Sequence, residues 1–155
     1  MRAYLIAIGE RMPNWVQQGY AEYAKRLSHE LPLQLVEIST KSRGNRDLAR
    51  AMADEAAAML AAIPKDAHVV ALDGRGQPWR SEDVAGQLQR WRMQGKDIAF
   101  LIGGADGLAP AILQRANQRW SLGPATLPHP LVRVVVAEQL YRAASQLGNH
   151  PYHRG

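Results

Sequence analysis

The residues best equipped for chemistry lie late in the chain. "SLGPATLPHPL" (121–131) places His129 between two prolines. The closing "NHPYHRG" packs His150, Tyr152, His153 and Arg154 into one short stretch. Termini usually fray and stay bland unless something ties them down, so a cluster this rich in hydrogen-bonding groups asks for a role. Histidine is the side chain that exchanges a proton most readily near neutral pH. For His129 the alternative is a structural hydrogen bond that holds the Pro128–Pro130 turn. His150 and His153 stand three apart, but Pro151 between them spoils a helical pair and no third ligand is evident, so no metal site is expected. The absence of cysteine excludes a disulfide framework, a zinc–thiolate centre and a thiol nucleophile. No G-x-S-x-G elbow is present, which weakens a hydrolase reading.

The glycines add a second pattern. "ALDGRGQPW" (71–79), "LIGGADGL" (101–108) and the 121–131 segment each follow or join an apolar run. Glycine lets a backbone turn sharply or approach a ligand closely. Each segment alone reads as ordinary turn chemistry. Three in succession suggest one pocket walled by main chain. The first strand is followed by "GERMPNW", which lacks the glycine-rich turn of a dinucleotide fold, and no phosphate-cradling G-x-x-x-x-G-K-[ST] loop occurs.

These segments need a frame. Residues 3–9, 33–39, 68–73 and 97–104 read as strands, and 13–30, 47–63, 81–95 and 110–117 as helices. Pro13 marks a helix start, and Ser81 is the expected cap of its helix, with Asp83 in the first turn. Residues 131–147 begin with β-branched side chains, yet their length and good helix formers favour a helix, with Val134, Ala137, Tyr141 and Ala144 on one face. Alternating strands and helices with uniformly apolar strands imply an α/β fold: a mainly parallel sheet with helices on both faces. Ligands in such sheets sit beyond the carboxyl ends of the strands, where the glycines gather.

A chain of 155 residues fits one domain, 1–155. The apolar start is too short for a signal peptide or a membrane span, and a cytoplasmic protein without a membrane partner is expected. The formal net charge of +5 favours polyanionic partners. From Pro110 onward Arg115, Arg119, Arg133, Arg142 and Arg154 face a single acid, Glu138. Salt bridges to Glu138 are the structural alternative for Arg133 and Arg142, and the Glu138–Arg142 spacing suits one. Trp15, Trp79, Trp91 and Trp120 are expected in the core or an interface. Arg75 and "KSRGN" (41–45) could contact phosphates, with plain surface as the alternative.

"ALDGRG", "FLIGGADGL", "SLGPATLPHPLVR", "AEQLYRA" and "HPYHR" together resemble the bacterial ribosomal RNA large subunit methyltransferase H family. The similarity runs from "MRAYLIAIG" to the last residues. The family is of the SPOUT class, so the resemblance implies a C-terminal trefoil (α/β) knot. It also implies an S-adenosyl-L-methionine-dependent enzyme acting as a homodimer on N3 of a pseudouridine in 23S rRNA of the assembled ribosome. Its cofactor contacts would fall on Leu72, Gly103, Gly104, Leu122, Gly123, Pro124, Ala125, Thr126 and Leu127.

That chemistry gives the polar residues work. The acceptor nitrogen must shed an imide proton, so a base and hydrogen-bond donors near it would help. His129, Arg142, Tyr152, His153 and Arg154 are the candidates, and which of them is the base stays open. Leu131, Val134, Val135, Leu140 and Leu147 offer the last helix a second apolar face for a twin chain. A tail leaving that helix could reach the partner's cofactor pocket. The rival reading is a non-catalytic RNA- or ribosome-binding module, which explains the charge but not three glycine-rich strand ends.

Overall fold

The computed structural model describes residues 1–40, 47–148 and 152. The "KSRGN" loop and His150, Pro151, His153 and Arg154 lie outside the described residues. The elements run β1 (Ala3–Ile8), α1 (Asn14–Arg26), β2 (Leu33–Ile38), α2 (Leu48–Ala62), β3 (His68–Gln77), α3 (Ser81–Gln94), β4 (Ile98–Ile102), α4 (Pro110–Arg115), β5 (Gln118–Trp120) and α5 (His129–Leu147). The sheet order is β2-β1-β4-β3-β5, and every pairing is parallel.

Strand side chains alternate between two cores. Leu5, Ala7, Val70, Ile98 and Phe100 join α1, α3 and α5 on one face. Ile6, Ile8, Val69, Ala99 and Leu101 meet Met59 of α2 and Ile112 of α4 on the other. Burial from both sides explains why β4 reads as unbroken "IAFLI", all of it buried. The expected α/β sheet with helices on both faces is therefore present. Trp79, Trp91 and Trp120 cluster with Phe100 in the first core, ring centroids 5.5–6.1 Å apart. Trp15 departs from them, 57% exposed on α1.

Several expectations need correction. "GRGQ" is strand rather than loop: β3 continues to Gln77, which pairs with Trp120 after a break in register at Leu72. Gly76 allows this, because a Cβ there would lie 2.6 Å from the Arg119 carbonyl. Its partner β5 is only three residues long, too short to show a period of two. Ser81 does not cap α3. The cap is Arg80, whose backbone N–H donates to Asp83 Oδ2 at 2.8 Å, while the Ser81 hydroxyl donates to Gln139 at 2.8 Å. The last helix starts at His129 rather than Leu131, with Pro130 in its first turn, where no N–H is needed. Leu140 is fully buried in the first core, so it belongs to no outer face.

Candidate functional site

The carboxyl ends of β3, β4 and β5 open into a cleft of about 480 Å³, a size in the usual range for small-molecule sites. Its walls are built by backbone geometry. After β4, Gly107 takes φ +75° and its N–H donates to the Gly104 carbonyl at 3.0 Å. A Cβ on Gly103 would lie 2.6 Å from the Gly107 carbonyl carbon, so the chain passes here only as glycine. After β5, Ser121 Oγ accepts from the Gly123 N–H at 3.2 Å, and Gly123 sits at φ +117°. The loop is tied to β3 through Ser121 N–H and the Gln77 carbonyl at 2.8 Å.

Leu72, Gly103, Gly104 and the run Leu122, Gly123, Pro124, Ala125, Thr126, Leu127 all line this one cleft, and His129 closes it from the start of α5. Sequence reasoning missed two polar residues of the wall. Both line the cleft, and among the described residues Asp73 Oδ2 and Trp120 Nε1 are buried with no hydrogen-bond partner. A carboxylate acceptor, an indole donor and a main-chain cradle suit a ligand that is cationic, hydroxylated and flat in parts, as S-adenosylmethionine is. The only earlier hint of Asp73 was its place before "GRG" at a strand end.

Arg142 and Tyr152 lie elsewhere. Arg142 donates to Glu138 at 2.9–3.0 Å, as the i,i+4 spacing suggested. Tyr152 donates from its hydroxyl to the same carboxylate oxygen at 2.9 Å. Its ring rests on Tyr141, centroids 4.6 Å apart, with the Arg142 guanidinium 5.0 Å above it. Burial, then the hydrogen bonds it shares with Tyr23 and donates to Glu138, push the Tyr152 phenol well above its ordinary value. The hydrogen bond to Glu138 likewise holds Arg142 firmly charged. Arg142 stands thirteen positions after His129, about 20 Å along α5. One chain thus brings His129, but neither Arg142 nor Tyr152, to the cleft. Arg133 also departs from expectation: it pairs with Glu37 at 2.6 Å rather than with Glu138.

Among the described residues no group of three potential metal ligands converges, and no helix is long and apolar enough to cross a membrane.

The profile described as "Predicted SPOUT methyltransferase" matches residues 1–153. The chain belongs to the SPOUT methyltransferase family. It is 60% identical to the ribosomal RNA large subunit methyltransferase H of Xanthomonas campestris pv. campestris (strain B100), covering 99% of each chain. The protein of that name from Stenotrophomonas maltophilia (strain K279a) is 59% identical over the same share. Solved structures of similar fold are more distant in sequence. A probable methyltransferase from Bordetella pertussis Tohama I superposes with a TM-score of 0.59 at 19% identity, covering 92% of this chain and 93% of that one. A probable methylase family protein from Haemophilus influenzae Rd KW20 gives 0.56 at 16%, covering 97% and 69%. At such identities they support the fold alone. Family membership makes this SPOUT protein a methyltransferase, and the non-catalytic module reading falls.

Proposed function

We propose that the protein transfers a methyl group from S-adenosyl-L-methionine to N3 of a pseudouridine in 23S rRNA of the assembled ribosome, as a cytoplasmic homodimer built from one SPOUT domain spanning 1–155 with a C-terminal trefoil knot. One observation carries this reading: the glycine-rich strand ends and His129 wall a single cleft, in a chain 60% identical over its length to a ribosomal RNA large subunit methyltransferase H.

The donor supplies an electrophilic methyl group on a sulfonium. The rest falls to this chain's residues. Leu72, Gly103, Gly104 and the 122–127 loop hold the donor through backbone groups and apolar contact, and Asp73 offers its cationic or hydroxyl groups an acceptor. Fixing donor and acceptor in line supplies about 7–11 kcal/mol of barrier lowering. His129, at the mouth of α5, is placed to take or share the imide proton. Cationic and hydroxyl donors stabilise the anion that develops at the acceptor. Arg142, Tyr152, His153 and Arg154 fill that second role from the partner chain. The separation of about 20 Å along α5 favours supply across the interface over supply within one chain. The exposed Trp15 and the half-buried Leu131, Val134, Val135 and Leu147 give the two copies apolar surface to share. Arg75 and Arg119, both exposed near the cleft, offer phosphate contacts.

Incubating the protein with labelled donor and ribosomes that lack the modification, then mapping the methyl group by mass spectrometry, tests the whole reading. A methyl on N3 of one pseudouridine in 23S rRNA is expected. A methyl on another nucleotide, or none, overturns it.

A further inference from the structure

Arg133 is 1% exposed, a cation packed into the core at the second turn of α5. Its Nη1 donates to Glu37 Oε2 at 2.6 Å, and its Nη2 donates to the Gly9 carbonyl at 2.8 Å. Stripping water from a guanidinium is costly, and well-packed apolar side chains often replace buried ion pairs with no loss of stability. Stability is therefore a poor account of this residue.

Its connections offer a better one. Arg133 follows His129 by four positions, so both side chains stand on one stripe of α5. Gly9 lies against both: a Cβ at Gly9 would sit 3.8 Å from Arg133 Nη2 and 3.8 Å from His129 Cε1. Gly9 is itself pinned twice. Its N–H donates to the Ile38 carbonyl at the end of β2 at 2.8 Å, and its carbonyl receives Arg133. It adopts φ +111°, a conformation glycine alone takes easily. The guanidinium thus clamps the ends of β1 and β2 to the start of α5, at the same Gly9 that borders the His129 ring.

We infer that Arg133 is a positioning residue for methyl transfer: by holding Glu37 and the Gly9 carbonyl it fixes the His129 ring against the wall of the donor cleft. This rests on the reading of His129 as the group that faces the acceptor. A displacement of about 1 Å in such a group is enough to cost a hundredfold in rate.

The test is a double-mutant cycle of His129→Ala and Arg133→Met, read by single-turnover methylation of unmodified ribosomes. Donor affinity by calorimetry and thermal melting are measured on each variant. Arg133→Met is expected to melt close to the parent, to keep donor affinity and ribosome KM within about twofold, and to lose about 10- to 100-fold in kcat. Added to His129→Ala it should cost little more, because the residue it positions is gone. A folded Arg133→Met at the parent rate, or losses that multiply in the double variant, overturns the inference. If Arg133→Met does not fold, Glu37→Gln keeps the packing and removes the charge. A fall in kcat without a rise in KM is then expected, and an unchanged kcat overturns the inference. His129→Ala at the parent rate would remove the reading of His129 and this inference together. A slow His129→Ala beside a full-rate Arg133→Met removes the inference alone.

Discussion

His129 stands where a helix begins and a cleft ends, and that position sets what its loss should do. His129→Ala is expected to lower kcat by about 10²–10⁴, the range for a lost acid–base group, while donor affinity by calorimetry stays near that of the parent. Tyr20 makes a prediction of a different kind. Its hydroxyl is buried without a hydrogen-bond partner among the described residues, and burial raises its pKa well above the ordinary value, opposed by the nearby Arg133. A phenol with a raised folded-state pKa favours the protonated fold. Its contribution is fully present below its unfolded value of about 10 and is lost as pH rises beyond that. Melting curves at pH 8 and pH 11 should therefore show the parent losing more stability than Tyr20→Phe. At pH 8 the variant should melt no lower than the parent, since a buried unpaired hydroxyl costs about 1–3 kcal/mol.

The glycine turn after β4 and the end of α5 carry the predictions for elements. Gly103→Ala drives a methyl group to 2.6 Å from the Gly107 backbone. The turn must move, with about 1–3 kcal/mol of destabilisation typical of overpacking. Calorimetry should show donor binding weakened at least about tenfold, the factor that 1.4 kcal/mol represents. Deleting residues 151–155 removes Tyr152 from Glu138, yet leaves every residue of the cleft wall in place. The truncated chain should fold and bind donor but fail to methylate ribosomes. Normal methylation by it would reduce the tail to a terminus.

Scale decides the last prediction, because the candidate groups divide between two ends of α5. Mixed dimers of a tail-deleted chain and a chain that cannot bind donor should keep one complete site and about half the activity, if the tail acts across the interface. Full loss in a verified mixed dimer would show that each chain needs its own tail. What was legible beforehand follows the same division. Burial on both faces makes strands uniformly apolar, so β1, β3 and β4 announced themselves, and helix-length patterns revealed α1, α2, α3 and α5. Glycines marked the cleft because close backbone approach leaves a compositional trace. Three-residue β5, the strand character of "GRGQ" and the true cap of α3 left none, since each depends on a partner distant in the chain. Composition and pattern by themselves determined the α/β class, the absence of cysteine chemistry, and which segments were rich in chemistry. Only tertiary packing decided that Arg133 joins Glu37, that Asp73 and Trp120 line the cleft with a buried polar atom each, and that His129 stands apart from Arg142 and Tyr152. Those pairings depend on how far apart folded elements come to rest. Sequence spacing measures that distance only within a single helix or strand.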